Sequence, residues 1–445
     1  MKLQVEISYR QILKISLPIA ASILVPQINF ITNNIFLGQL GEQQLAVAGI
    51  TGVYYLIFAV IGYGLNSGLQ ALISRRAGEN RVDEIGKLFS HTVRIAIGFA
   101  IAGIIITFFI APSVFKSTLH TAEHVQLAVN FLYIRIFGLP LLYLYQMQNA
   151  LLISTNQSGY LLIGSLIETG CNIFLDYCLI LGHFGFAKIG FNGAAYASVI
   201  AEAIGMLTVF GVIHFKGIDK KLNLFKSFTH QASYTKLILS QSAPLILQHT
   251  ISITSWEFFY ILIEHHGERA LAVSNTMRNI FGLFGCITWA FASTTNSMVS
   301  NVIGQDKQHR IKELLKKIIT LSLGFSIIIC IILNISPGFL LQAYGQSQAF
   351  IIAAIPVVRI ISIALLMQSV STIYLNAVVG TGNSKMNLLT ESMTLVVYIV
   401  YVYITLEYLN LSIEWGWLSE WLYWICLFIP SFWYMQSGRW KGKKI

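Results

Sequence analysis

The sequence predicts an all-α integral membrane protein, with twelve transmembrane helices in two six-helix bundles related by a pseudo-two-fold axis along the membrane normal. Three observations lead there. Of 445 residues, 55% are hydrophobic and only 11% charged, whereas soluble domains carry about a quarter charged residues. The apolar residues gather into twelve runs near the roughly 20 residues that cross a hydrocarbon core of about 30 Å. The chain also repeats itself at a fixed separation.

The runs lie at approximately 12–37, 45–73, 91–113, 127–153, 159–182, 191–214, 235–263, 271–301, 317–340, 349–379, 387–408 and 414–436. Barrel strands would appear as alternating segments of about 10 residues, so unbroken runs of this length read as helices. The first run has no small-residue cleavage site after it and reads as a retained span, not a signal peptide.

The net charge of +10 records topology. Cations cluster in alternate connections: Lys2, Arg10 and Lys14; Arg75, Arg76, Arg81 and Lys87; Lys216, Lys220, Lys221 and Lys226. They recur as Lys307, Arg310, Lys312, Lys316 and Lys317, then as Arg439, Lys441, Lys443 and Lys444. Lys116, Lys188 and Arg269 stand singly in the intervening loops. This positive-inside alternation predicts a multi-pass cell-membrane (inner-membrane) protein with both termini cytoplasmic and no nucleic-acid partner.

Cys171, Cys178, Cys286, Cys330 and Cys426 all fall within spans. Odd in number and apolar in setting, they read as packing residues and not a disulfide framework. "GYGLNSG", with Gly62, Gly64 and Gly68, lies inside a span and reads as a close helix contact. No HExxH, GxSxG or Walker signature is present, which argues against an intramembrane enzyme or an ATP-driven pump.

"LGEQQLAVA" (40–48) and "HGERALAVS" (266–274) match at a separation of 226. So do Pro18 and Pro244, Ser67 and Ser293, Ser74 and Ser300, Gly78 and Gly304, Ile85 and Ile311, and Leu88 and Leu314. "NALLISTNQ" (149–157) resembles "NAVVGTGNS" (376–384) at 227. Each half therefore holds six spans, an even number that keeps both halves in one orientation. The predicted organisation is a bundle over 1–215, a cytoplasmic linker over 216–234, and a second bundle with a basic tail over 235–445.

The span 159–182 carries a carboxylate, Asp176, in "GCNIFLDYCLIL". A mid-membrane acid costs about 2.5–3.5 kcal/mol on insertion scales, so such a residue usually faces a cavity and has a function. Asn172 and Glu168 precede it at four-residue intervals, forming one polar stripe about 12 Å long. Its oxygens suit a hard cation such as Na⁺, or the acid takes up a proton. The alternative is a structural hydrogen-bond stripe between helices. Glu257, in "TSWEFFYI", is either a contact for a cationic substrate or a structural ion pair. Glu264 and His266 read as interfacial, Arg135 and Arg359 as anchors, and Glu257 with His249 as the polar groups serving the second half. Trp256, Phe258, Phe259 and Tyr260 can offer faces to flat cations. Pro26 has no repeat partner, falling opposite Ser252, and suggests a hinge in the first helix.

With these motifs the chain resembles the multidrug and toxic compound extrusion (MATE) family over nearly its whole length. The segment "NIFLDYCLILGHFGFAKIGFNGAAYASVIAE" looks like that family's fifth-to-sixth helix signature, "NNIFLGQLGEQQLAVAG" its first-to-second helix turn, and "AVVGTGNSK" its tenth-to-eleventh. The resemblance implies an antiporter with two bundles in a V, exporting amphiphilic organic cations or drugs in exchange for H⁺ or Na⁺ by alternating access. It implies no cofactor beyond that coupling ion, contact with membrane lipid, and action as a monomer. It places Asp176 at the coupling site with Asn172, and Ser198 adds a hydroxyl from the next helix. Loading of Asp176 would repack the first half and disfavour the drug-bound state. At three positions where family members carry acids, this chain has the neutral residues Asn33, Ser252 and Gln368. Glu168, Asn33, Glu257 and Gln368 are the further candidate coupling or substrate residues. A lipid-linked oligosaccharide flippase of the same superfamily is the alternative, but only isolated Arg94, Arg135, Arg278 and Arg359 are present where a cationic groove would need a cluster.

Overall fold

The computed structural model describes residues 2–119, 121–225, 231–342, 347–443 and 445. Lys226 and Lys444, counted above among the cationic clusters, lie outside the described residues. All regular structure among those residues is helical. In hydrocarbon the backbone must satisfy its own hydrogen bonds, and a helix does so within one segment.

The helices are α1 (Tyr9–Gly38), α2 (Glu42–Gly78), α3 (Val82–Thr118), α4 (Ala122–Arg135), α5 (Gly138–Ser154), α6 (Leu161–Leu181) and α7 (Phe191–Phe215). After a short α8 (Ile218–Lys221) come α9 (Ala232–Glu264), α10 (Glu268–Gly304), α11 (Ile311–Ile335), α12 (Pro337–Gln342) and α13 (Gln348–Gly380). The chain ends with α14 (Ser384–Val402), α15 (Ile413–Trp417) and α16 (Ser419–Ser437). Eight of these are long and apolar enough to cross a membrane, nine if α4 and α5 are one bent span. The other three expected spans form as α9, α10 and α16, which are more polar. In α10 the cause is a run of buried Ser, Thr and Asn. Thr294 and Thr295 bond carbonyls four residues back, so their hydroxyls are satisfied inside the helix. The twelve-helix fold is present, with three refinements to the expected spans. The run 127–153 is a broken pair bent by 44°. The run 317–340 ends at Ile335, before the separate α12, and the run 387–408 finishes in a wide π-type turn, Tyr403–Tyr408.

The sequence repeat is a backbone repeat. Helices α2 and α10 are both 37 residues, beginning at 42 and 268 and ending at 78 and 304, a separation of 226 at each end. Helix α13 (348–380) matches the α4–α5 pair (122–154) at the same separation. Positive-φ residues coincide as well: Gly41 (130°) with Gly267 (94°), Asn80 (57°) with Asp306 (59°), and Asn156 (63°) with Gly382 (85°). Gly, Asn and Asp tolerate this region best, so the turns repeat because their residue types do.

By contact the chain forms two compact units: Ala21–Ile246 with Met1–Leu3, and Gln4–Ala20 with Leu247–Ile445. Helices α1 and α9 are thus each divided between units. In the first unit the glycines of "GYGLNSG" on α2 lie at close helix contacts. A methyl at Gly64 would stand 2.6 Å from the Ile246 backbone nitrogen, and one at Gly68 would strike Ser242. A methyl at Gly62 would meet the Tyr143 ring at 2.7 Å. The glycines serve close helix contact. Part of the linker is tied to α3 in the same unit: Asn223 Nδ2 donates to Asp83 Oδ1 (2.6 Å) and the Gln231 amide to His91 Nε2 (3.1 Å).

In the second unit the N-terminal segment is strapped down. The Val5 amide donates to Asn301 Oδ1 (3.1 Å), Gln305 Nε2 to the Val5 carbonyl (2.9 Å), and Lys317 Nζ to the Ile7 carbonyl (3.0 Å). The core of this unit centres on Trp417, whose indole Nε1 donates to Ser274 Oγ (3.1 Å) and whose ring meets Phe259 edge-on at 5.3 Å.

Replacing Gly64 or Gly68 by Val inserts atoms where a helix backbone already lies, and overpacking of this kind costs about 1–3 kcal/mol or more. Gly64→Val and Gly68→Val are expected to lower the yield of monodisperse protein in detergent and its melting temperature, while Gly98→Ala, with no atom within 4 Å, leaves both unchanged. Size-exclusion chromatography with thermal unfolding checks this. Wild-type behaviour of the Val variants would remove glycine packing as the reason for the motif.

Candidate ion-coupling site

In the first unit α6 packs along α7. Asp176 on α6 is fully buried, and neither carboxylate oxygen has a protein hydrogen-bond partner. Asn172, one turn earlier on the unbroken helix, is also buried, and its Oδ1 has no partner. Three buried oxygens without donors therefore lie along one helical turn. Burying an isolated ionised carboxylate without a partner is costly. Amide and carboxyl oxygens are also the donor type that alkali cations take.

The flanking candidates are placed as follows. Glu168, a further turn back on α6, is half-buried against Gly205 of α7, where a methyl would meet Glu168 Cβ at 2.8 Å. Ser198 is half-buried on α7. On α1, Asn33 has a buried Oδ1 without a partner. Three residues on, the Phe36 ring lies 6.3 Å from that of Tyr177, which follows Asp176. The structure thus brings the C-terminal end of α1 to the helix that carries Asp176. Pro26 is exposed within an uninterrupted α1.

Arg135 and Glu202 form a bidentate ion pair in this unit. Arg135 Nη1 and Nη2 donate to the two Glu202 oxygens at 2.9 and 2.6 Å, and the guanidinium lies 4.0 Å over the Tyr55 ring. The pair sits at the break between α4 and α5. Gly138 is needed there, since a methyl would strike both partners. Pro140, in the first turn of α5, has no amide hydrogen to donate where no acceptor is offered.

In the second unit, Glu257 lies 3.5 Å from Arg278, whose guanidinium also faces Trp256 (5.2 Å) and Tyr260 (5.0 Å). The aromatic run on α9 thus already holds a cation from the protein. Gln368 is fully buried on α13 with no partner for either amide atom. His249 is half-buried, Glu264 and Arg359 are exposed, and His266 Nε2 lies 2.9 Å from the Leu406 carbonyl. Ser252, at one of the neutral positions, donates to Glu391 of α14 (2.6 Å). Glu391 was not among the sequence candidates. It lies within the eleventh apolar run, so the rule that singled out Asp176 applies to it equally. No group of three or more His, Cys, Asp or Glu suited to a metal ion occurs among the described residues.

Comparison with known proteins agrees with this geometry. The MatE family profile matches residues 18–178 and 244–404, two segments again 226 apart. A probable multidrug resistance protein NorM of Agrobacterium fabrum is 24% identical over 44% of this chain and 42% of its own length. Its counterpart in Listeria innocua is 24% identical over 58% and 57%. The chain spans about half the length of these curated relatives. A third NorM, from Thermotoga maritima, is 20% identical over 98% of this chain and 94% of the relative. Among solved structures, a MOP superfamily transporter from Pyrococcus furiosus superimposes with a TM-score of 0.90 at 18% identity, over 99% of this chain and 98% of that one. A crystal structure of MATE in the straight conformation gives the same TM-score, identity and coverage.

Arg135→Ala leaves Glu202 buried beside Tyr55 without its partner. A hydrogen bond to a charged group contributes roughly 1.5–3 kcal/mol, so a melting-temperature loss several times that of Arg135→Lys is expected. Thermal unfolding in one detergent checks it. Equal stability of Arg135→Ala and wild type would show that the pair does not brace the α4–α5 break.

Proposed function

The chain belongs to the MatE family, and from that premise we propose that it is a secondary antiporter that exports amphiphilic organic cations in exchange for H⁺ or Na⁺. The observation that carries this reading is Asp176, fully buried with both oxygens unpartnered and a second unpartnered oxygen, that of Asn172, one turn away. Such a group is stable only when loaded, so ion occupancy and the packing of the first unit are linked. Loading neutralises Asp176 and allows α6 to close against its neighbours, whereas unloading requires it to meet water. Mutual exclusion between coupling ion and substrate follows if the open, water-exposed form is the one that admits the drug. One monovalent ion entering down 100 mV supplies about 2.3 kcal/mol, to which its concentration gradient adds.

The names of the relatives support the substrate class, since NorM proteins are described as probable multidrug resistance proteins. Ser198, Asn33 and Glu168 are assigned to the surroundings of the loaded site, and Pro26 to the bending of α1. Glu257 and Gln368 are assigned to the second unit's contribution to substrate contact. The protein is placed in the cell membrane with both termini cytoplasmic, acting as a monomer. A flippase reading fares less well. Arg135 and Arg278 already pair with carboxylates, so neither is left to bind pyrophosphate.

The test is accumulation of a fluorescent organic cation inside inverted membrane vesicles, where export is directed into the lumen, driven by a pH gradient or by a Na⁺ gradient. Asp176→Asn keeps the shape and removes the ionisable charge. It is expected to accumulate in the membrane at wild-type level or above, as the desolvation cost disappears, and to lose at least 90% (roughly tenfold or more) of gradient-driven efflux, in keeping with a coupling free energy of about 1.4 kcal/mol or more. A well-folded Asp176→Asn that pumps at the wild-type rate would reduce the stripe to a structural feature.

A further inference from the structure

Glu391 lies on α14, seven residues from its start, and is 1% exposed. Its carboxylate accepts hydrogen bonds from Ser252 Oγ (2.6 Å) and Gln248 Nε2 (3.3 Å), both on α9, and from the Tyr423 hydroxyl on α16. Asn387, one turn earlier on the same face of α14, donates to Gln248 Oε1. The cluster therefore draws on three helices of a single unit. Among the described residues, no Lys, Arg or His pairs with Glu391. Tyr423 bonds the carboxylate directly, and Glu420 of α16 bears on Tyr423 in turn. His249 on α9 and Lys385 on α14 are the nearest titratable groups in sequence on those helices, and neither bonds it.

Two states are provided for by this cluster. Ionised, the carboxylate has three donors. Protonated, it needs an acceptor, and Asn387 Oδ1 is buried in the same cluster with no partner of its own. A carboxylic acid becomes a donor on protonation, so the cluster holds a second arrangement in reserve. The carboxylate oxygens and the Asn387 and Gln248 amide oxygens are also hard ligands of the kind Na⁺ takes.

We infer that Glu391, with Asn387, Gln248, Ser252 and Tyr423, is a loading site of the second unit that takes one monovalent cation, H⁺ or Na⁺. It is separate from Asp176, since it lies on residues of the other compact unit. The repeat does not place it: 226 residues before Glu391 is Ser165, and 226 after Asp176 is Val402. The inference goes beyond the antiport reading and does not depend on it, because occupancy of Glu391 can be measured without transport.

The experiment uses full-length protein in lipid nanodiscs, in the Asp176→Asn background. Infrared difference spectra are recorded across a pH titration, and then on adding Na⁺ at fixed pH. Subtracting the Glu391→Gln spectra is expected to isolate one protonated-carboxyl band that disappears as pH rises. If Na⁺ bleaches the same band at fixed pH, the site takes both ions; if not, it is a proton site, and either outcome supports the inference. If Glu391→Gln does not fold, Ser252→Ala and Tyr423→Phe serve in its place. Each removes a donor to the ionised form and is expected to move the band's midpoint up by roughly one pH unit. Spectra that superimpose with and without Glu391, or a band whose midpoint ignores both donor deletions, would overturn the inference. Loss of efflux in the test of Asp176 has no bearing on these readings.

Discussion

Hydrocarbon offers no hydrogen-bond partner, and most of this structure follows from that constraint. It makes every span a helix. It turns the hydroxyls of Thr288, Thr294 and Thr295 back onto carbonyls of their own helix. It also gives buried ionisable groups two options, pairing or loading. Arg135 with Glu202 takes the first, as does the half-buried pair of Arg278 with Glu257. Asp176 has neither oxygen bonded, and the proposed ion loading is the second. The contrast between a bidentate pair at 2.6 and 2.9 Å and an unpartnered acid in the same unit separates architecture from chemistry without reference to any relative.

The repeat sharpens this distinction. Helix ends and positive-φ turns recur at 226 residues, so both halves had the same scaffold on which to place charge. They used it differently. The first half puts its unpaired acid late in α6, with one amide oxygen for company. The second puts its acid early in α14, eleven residues before the counterpart position, or about 16 Å along a helix, and surrounds it with hydroxyl and amide donors. The α4–α5 break likewise has no break opposite it, for α13 runs through the matching stretch despite Pro356. Backbone repetition is set by turn residues and helix lengths, which duplication preserves. Charge placement depends on single side chains and is free to drift.

Much of this was legible in the sequence for the same reason. Helix existence, the repeat and the close-packing use of Gly62, Gly64 and Gly68 rest on periodicity and residue type, which local sequence carries. The break at Phe137–Gly138 was not legible, because "IRIFGLPLLYLY" stays apolar across it and the partner of Arg135 beside it is Glu202, 67 residues from that arginine. The partner of Glu257 was left open between a ligand and an ion pair, and only three-dimensional proximity identifies Arg278. Glu391 was overlooked for a different reason. Aligning the halves directs attention to the acid positions of the first and seventh helices, where Ser252 reads simply as neutral.

Ser252 is informative because of what it touches. Its hydroxyl donates to the one acid that α14 buries, so the neutral residue and that carboxylate form one hydrogen-bonded unit. Gln368 shows the opposite case. It is fully buried with both amide atoms unpartnered, and it bonds no acid. A neutral residue on one helix can therefore still belong to the hydrogen-bonded surroundings of an acid on the next. Around Glu391 the donor set is complete for the charged form, and Asn387 Oδ1 remains as a spare acceptor for the neutral one.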